Sequence, residues 1–205
     1  MTDPCLLIGD IGGTNARFAL AAAGETGFAR AQTLSCADYE TSDQAILAYL
    51  DGVNADAPVA ICLAAAGPIV NNAVRFTNNH WSLDVADLMQ RFETDSVRLL
   101  NDFQAIAYSI PFLEDGDTLP VGLSDTHSLD QDEFTIGILG PGTGLGTGGL
   151  CRRDGELYPI VGEGGHVGFA PETALQLEVL TALRERFDRV SAERLVSGPG
   201  LENIF

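Results

Sequence analysis

The chain has 205 residues, 45% of them hydrophobic and 20% charged, which is room for one large globular domain or one domain and part of a second. Its 29 acidic residues outweigh 11 basic ones, all arginine, for a formal net charge of −18. A field this negative argues against bare nucleic acid or an anionic membrane as partner, and a polyanionic ligand would have to bring its own metal ion and rest on backbone N–H groups.

The first predicted element is a buried strand over Cys5–Asp10, closed by Gly12-Gly13. A second strand over Arg17–Ala22 makes a hairpin with it. Helical spacing of Ala45, Ile46 and Tyr49 predicts a helix over Ser42–Leu50. Pro58–Ala66 reads as another buried strand and Val70–Phe76 as an edge strand. Ser82 is the expected N-cap of a helix through Val85, Leu88 and Met89. Val97–Leu100 is a short strand with Asn101-Asp102 at its C-terminal end, followed by a helix over Phe103–Tyr108. Residues 111–133 are rich in Pro, Gly, Asp and Ser and read as a connection. Thr135–Leu139 is a strand running into a glycine-dense loop and hairpin, Gly140–Gly149. Glu172–Phe187 is the longest helix, with Leu175, Val179, Leu180 and Leu183 on one face. Glu193–Val196 is a short helical stretch broken by Gly198-Pro199-Gly200, and Leu201–Phe205 opens another helix.

The four cysteines, Cys5, Cys36, Cys62 and Cys151, are too scattered for a zinc knuckle or a C-x-x-C pair and are expected to be reduced residues of apolar segments. No leader and no membrane span is legible, so the expected compartment is the cytoplasm.

Two glycine loops suit phosphate groups. In the first, spanning Gly9, Asp10, Ile11, Gly12, Gly13, Thr14 and Asn15, glycines without Cβ let backbone N–H groups approach phosphate oxygens and Thr14 adds a hydroxyl. Asp10, at the strand end, is placed to hold Mg2+ through water. A tight hairpin with a capping aspartate is the plainer alternative. The second loop carries Gly142, Thr143 and Gly144 and by itself is equally a plain bend. A Walker A loop is excluded because the chain has no lysine, and the glycine spacing differs from a dinucleotide fingerprint.

Asp102, at the carboxyl end of a buried strand, is a candidate general base, although capping the next helix would explain it equally well. Glu163 and His166, three residues apart beside two glycines, suit neighbouring hydroxyls of a polyol; a surface loop is the plain alternative, and the pair is a poor zinc signal. The polar run Thr77–Trp81, with Asn78, can flank a sugar, although Trp81 reads equally well as core. Glu193 stands near a helix start, where dipole stabilisation alone would account for it.

Taken in order, GDIGGTNARFAL, AAAGPI, TNNHW, LLNDFQAIAYSIP, GPGTGLG, GEGGHVGFAP and SAERLVSGPGL resemble the proteobacterial-type, ATP-dependent glucokinases. The resemblance implies an α/β, actin/hexokinase-like (ribonuclease H-like) two-domain fold with mixed sheets. It assigns residues 1–110 to a first domain, 111–133 to the connection and 134–205 to the beginning of a second. It implies transfer of the γ-phosphoryl of ATP, with Mg2+, to the 6-hydroxyl of glucose. Asp102 then matches the catalytic base. Asn101, Glu163, His166 and Glu193, with Asn78, match sugar-binding positions, and the two glycine loops match the phosphate loops. Glucose and ATP are the implied partners, homodimers are common in the family, and no zinc, nucleic acid or membrane is expected. Family chains continue past SGPGL, so the second domain is expected to be incomplete, without the glycine motif that cradles adenosine, and to expose apolar surface. Against the enzyme stands a non-catalytic sugar-binding module of the same fold; a polyphosphate or ADP donor is a third reading.

Overall fold

The computed structural model describes residues 5–76, 79–114, 116–122 and 131–205. The chain forms two compact units, one ending at Ala105 and the other running from Ile106 to Phe205.

The first unit is built on a five-stranded sheet. Strands β1 (Cys5–Ile11), β2 (Asn15–Ala22) and β3 (Phe28–Ser35) form an antiparallel meander. Helix α1 (Ser42–Gly52) leads to β4 (Ala60–Ala65), which pairs parallel with β1. Next come β5 (Ala73–Arg75) and β6 (Ser82–Asp84), a two-stranded ribbon, and helix α2 (Val85–Phe92). Strand β7 (Val97–Asn101) then pairs parallel with β4, giving the order β3-β2-β1-β4-β7. Helix α3 (Asp102–Ser109) follows without a gap.

The core explains the pattern. Leu7 and Ile11 of β1, Phe18 of β2, and Ile61 and Leu63 of β4 are fully buried with Ala45, Ile46 and Tyr49 of α1. Leu88 and Phe92, four apart on α2, join the same cluster. Trp81 is core, its indole N–H donating to the Tyr39 carbonyl at 3.0 Å. Burial pushes the Cys36 and Cys62 thiols up, so they stay protonated, and all four cysteines are free.

One cap differs from expectation. Ser82 lies in β6, and Asp84 is the N-cap of α2, its Oδ1 accepting from Ala86 N at 2.8 Å and Asp87 N at 3.4 Å. The carboxylate also sits at the positive end of the helix, which a serine two residues earlier cannot reach. Asp84→Ala is therefore expected to cost about 1 kcal/mol, read as a lower midpoint at unchanged slope in urea unfolding.

In the second unit, β8 (Phe134–Pro141), β9 (Leu145–Arg153) and β10 (Glu156–Gly162) form an antiparallel sheet of order β10-β9-β8. Asp154 and Gly155, both at positive φ, make the β9–β10 turn. Most of Gly140–Gly149 is strand rather than loop, the turn being residues 142–144 alone. Helix α4 (Ala174–Arg184) starts at a capping box in which Thr173 and Gln176 exchange bonds. Helix α5 (Gly198–Ile204) begins not at the expected Leu201 but inside the Gly-Pro-Gly segment expected to break the preceding helical stretch: Ser197 caps Gly200 N, and proline belongs in a first turn. Glu193 lies in a 3-10 turn, Ala192–Arg194. Of the expected α4 face, Leu183 is buried but Leu175 is 69% exposed; Leu139, Val167 and Leu201 are also exposed in this unit.

Candidate functional site

The parallel strands position the candidate residues of the first unit. Register pairs Ile11 with Ala65 and Ala65 with Asn101, so β1, β4 and β7 end level. At about 4.8 Å per strand step, Asp10 and Leu100 stand roughly 10 Å apart across β4, whose Ala64 and Ala65 leave that edge open. The candidate phosphate hairpin and the candidate base thus share the carboxyl edge of one sheet, where α/β proteins bind ligands. Open grooves lined by Cys5, Val59 and Ser96 lie at the opposite edge, away from every candidate residue.

The hairpin is held from behind. Gly12 N donates to Asn15 O at 2.9 Å and Cys36 N donates to Thr14 O at 2.8 Å. Gly12 O accepts from Asn79 Nδ2 at 3.2 Å. Among the described residues, neither the Gly13 nor the Thr14 N–H has an acceptor. Gly9 is required for packing: a Cβ there would come 2.8 Å from Leu63 Cδ2 and 2.9 Å from Phe18 Cδ1. Asp10 is half exposed and takes a bond from Arg17 Nη1 at 2.9 Å.

Asp102 opens α3. Its Oδ1 accepts from Phe103 N at 2.9 Å, as does Asn101 Oδ1 at 3.0 Å, and Asn101 Nδ2 donates to Gly67 O at 3.4 Å. Burial is the chief reason that the Asp102 carboxyl titrates above its ordinary value; the Asp10 charge pushes the same way, and the Phe103 N–H opposes both.

A second group of candidate residues lies in the other unit. The 3-10 turn Gly164–His166 packs on β9: Gly165 is buried where a Cβ would overlap the Leu145 carbonyl oxygen, and one on Gly164 would come 2.9 Å from Thr147 Oγ1. This close packing explains the adjacent glycines of GEGGH and projects His166 outward. His166 Nδ1 is 3.3 Å from Glu163 Oε2, and its Nε2 is 3.7 Å from Glu193 Oε1. Glu193 also accepts the Leu145 N–H at 2.9 Å, beside the turn carrying Gly142, Thr143 and Gly144. Asn78 lies outside the described residues.

Sequence reasoning missed Arg17 and the bond from Asn79 to Gly12. The Arg17 signal was available, since a tight hairpin sets opposite charges at Asp10 and Arg17 directly across from each other. Asn79 lies in the polar run Thr77–Trp81, but Gly12 is 67 residues away, and no local pattern points to that contact.

The mixed sheet, the glycine hairpin and the carboxylate at the end of a strand two places away fit an α/β fold of the actin/hexokinase-like class. A structure of a glucokinase from an Antarctic psychrotroph is similar to this one at TM-score 0.83 and 35% identity, over 97% of this chain and 62% of that one. A Balamuthia mandrillaris glucokinase solved with glucose shares the fold at TM-score 0.68 and 23% identity, over 98% of this chain and 61% of its own. The chain belongs to the glucokinase family, whose model, described as Glucokinase, matches residues 7–205. The glucokinase of Marinobacter nauticus is 41% identical over 201 residues, 97% of this chain and 61% of the relative. That of Hahella chejuensis is 40% identical over 200 residues, with the same coverage of each. The chain thus spans about three fifths of the length of these relatives.

Proposed function

We propose that the protein phosphorylates glucose, transferring the γ-phosphoryl of ATP to the 6-hydroxyl and releasing glucose 6-phosphate and ADP. The observation that carries the reading is the level carboxyl edge of β1, β4 and β7, with a glycine hairpin on β1 and Asp102 next to the end of β7. In this reading the Asp102 carboxylate accepts the 6-hydroxyl proton as O6 bonds to the γ-phosphorus and the bond to the β,γ-bridging oxygen breaks. Its raised pKa makes it a stronger base than an exposed aspartate.

Asn101, Glu163, His166 and Glu193 bind the sugar hydroxyls, and a sugar lacking one leaves a polar group unpaired. Asn78 is assigned the same role. The segment Gly9–Asn15 and the turn Gly142–Gly144 receive the phosphates through backbone N–H groups. A divalent ion arriving with the nucleotide suits this donor set. Among the described residues there is no group of three or more His, Cys, Asp or Glu side chains able to hold a metal, and Mg2+ is commonly held by one or two carboxylates, phosphates and water. Asp10 would hold it, and the ion would neutralise phosphate charge. The reaction fits the entry step of glucose catabolism in the cytoplasm, carried out by a homodimer as the working form. No described helix is long and apolar enough to cross a membrane.

The experiment is glucose calorimetry on the 205-residue chain with a coupled ATP-to-ADP assay on the same sample. Binding with glucose-dependent turnover is the expected result. Binding without turnover favours the second reading, a sugar-binding module of the same fold. A folded chain that ignores glucose ends the sugar-site assignment. Glu163→Ala is expected to weaken glucose binding about tenfold or more, the size of a lost charge-assisted hydrogen bond, and an unchanged affinity counts against its role.

A further inference from the structure

Glu193 serves two partners with its two oxygens. Oε2 accepts the N–H of Leu145 at 2.9 Å, where β9 leaves the glycine turn. Oε1 faces His166 Nε2 at 3.7 Å. Its side chain is 27% exposed, against 55% for His166 and 82% for Glu163. Glycine at 144 admits the carboxylate, since a Cβ there would come 2.5 Å from Oε2. The backbone grips the same turn a second time, Gly198 N donating to Gly142 O at 2.8 Å. Ser197 locks this brace, donating to Glu193 O at 2.8 Å while capping Gly200 N at 2.9 Å.

We infer that Glu193 is a positioning residue that ties the second glycine loop to His166, so that a sugar held at Glu193 and His166 also fixes residues 142–145. The physical route is short. A hydroxyl donating to Oε1 selects the rotamer in which Oε2 receives the Leu145 N–H. The loop is then ordered before a phosphate reaches it, and the second ligand meets a smaller entropic cost. By linkage the effect is reciprocal, and phosphate at the loop tightens sugar binding by the same factor. The relay rests on the proposed sugar site; the link between Glu193 and the loop stands without it.

The test is residue-resolved amide hydrogen exchange on the full chain as wild type, Glu193→Ala, Glu193→Gln and Gly144→Ala, with glucose as probe. Without sugar, Leu145 is expected to exchange about tenfold faster or more in Glu193→Ala, matching loss of a hydrogen bond to a charged acceptor. Glu193→Gln, which keeps an acceptor oxygen, retains most of the protection. Gly144→Ala keeps the carboxylate but fills its place and loses the protection. The Ile138 and Leu150 amides, inside the β8–β9 ladder, report whether the unit stays folded. Unchanged Leu145 exchange in both alanine variants overturns the link. Saturating glucose is expected to slow Leu145 exchange in the wild type and not in Glu193→Ala. If glucose perturbs His166 but leaves Leu145 untouched, the relay falls and the sugar site stands. If glucose perturbs neither, the sugar site falls and the relay with it.

Discussion

Replacing Asp102 with asparagine is expected to lower turnover roughly 10²- to 10⁴-fold while glucose affinity changes little. Asparagine keeps the shape and the oxygen that accepts from Phe103 N, so α3 still starts in place. What it loses is the capacity to take a proton. The coupled assay reads the first effect and calorimetry the second; undiminished turnover removes Asp102 from the reaction. A stability measurement supplies an independent check. The folded-state pKa of Asp102 is raised above its ordinary 3.8, chiefly by burial. For such a group the stabilising contribution is fully present below the unfolded pKa and lost as pH rises through the folded one. Above its folded-state pKa the ionised carboxylate therefore destabilises the fold. Asp102→Asn is expected to raise Tm above that pKa, with the gain shrinking as pH falls toward 3.8. A carboxylate that weakens the fold is the pattern expected of a group retained for chemistry, as the proposed role requires.

The strands that carry the first unit's candidate residues were legible because their residues had no other use. CLLIGD, AICLAA and VRLL are short apolar runs stopped by glycine or a polar pair; the first two are central strands, and the third, at the sheet's edge, still buries Leu99 and Leu100. Two edge strands, β3 and β10, were not legible. FARAQTLS of β3 is almost wholly exposed, and ELYPIVG of β10 contains a proline, so neither shows a buried run to read. The glycines of α5 misled for a specific reason: Gly198-Pro199-Gly200 looks like a breaker until Ser197 is seen to cap it. Asp102 shows the limit of local reasoning. Its base and capping readings competed in the sequence, whereas in the fold the carboxylate receives the Phe103 N–H and still lies at the ligand edge. The bond from Leu145 to Glu193 crosses 48 residues and depends on a Cβ that Gly144 lacks. Only the packed second unit brings those three positions together.

Gly165→Ala is expected to cost most of the glucose affinity through a single methyl group. Gly165 is the buried middle residue of the 3-10 turn, pressed against β9, and the new Cβ would occupy the space of the Leu145 carbonyl oxygen. Backbone cannot rotate away as a flexible side chain could, so the turn must lift from β9. Overpacking of this kind costs about 1–3 kcal/mol. The displacement carries His166 away from Glu193 and disturbs Leu145, the residue that Glu193 holds. A shift of about 1 Å in positioned groups is enough for a loss on the order of 10²-fold in rate, and affinity for a hydroxyl array should fall steeply for the same geometric reason. Gly162→Ala is the matched control, because a Cβ there meets nothing within 4 Å. The control is expected to stay near wild type in both Tm and glucose calorimetry, while Gly165→Ala falls in both. Equal behaviour of the two variants would mean that the paired glycines of GEGGH serve only to turn the chain. A selective loss at Gly165 would mean that they are there to let a histidine be carried on a turn pressed flat against β9.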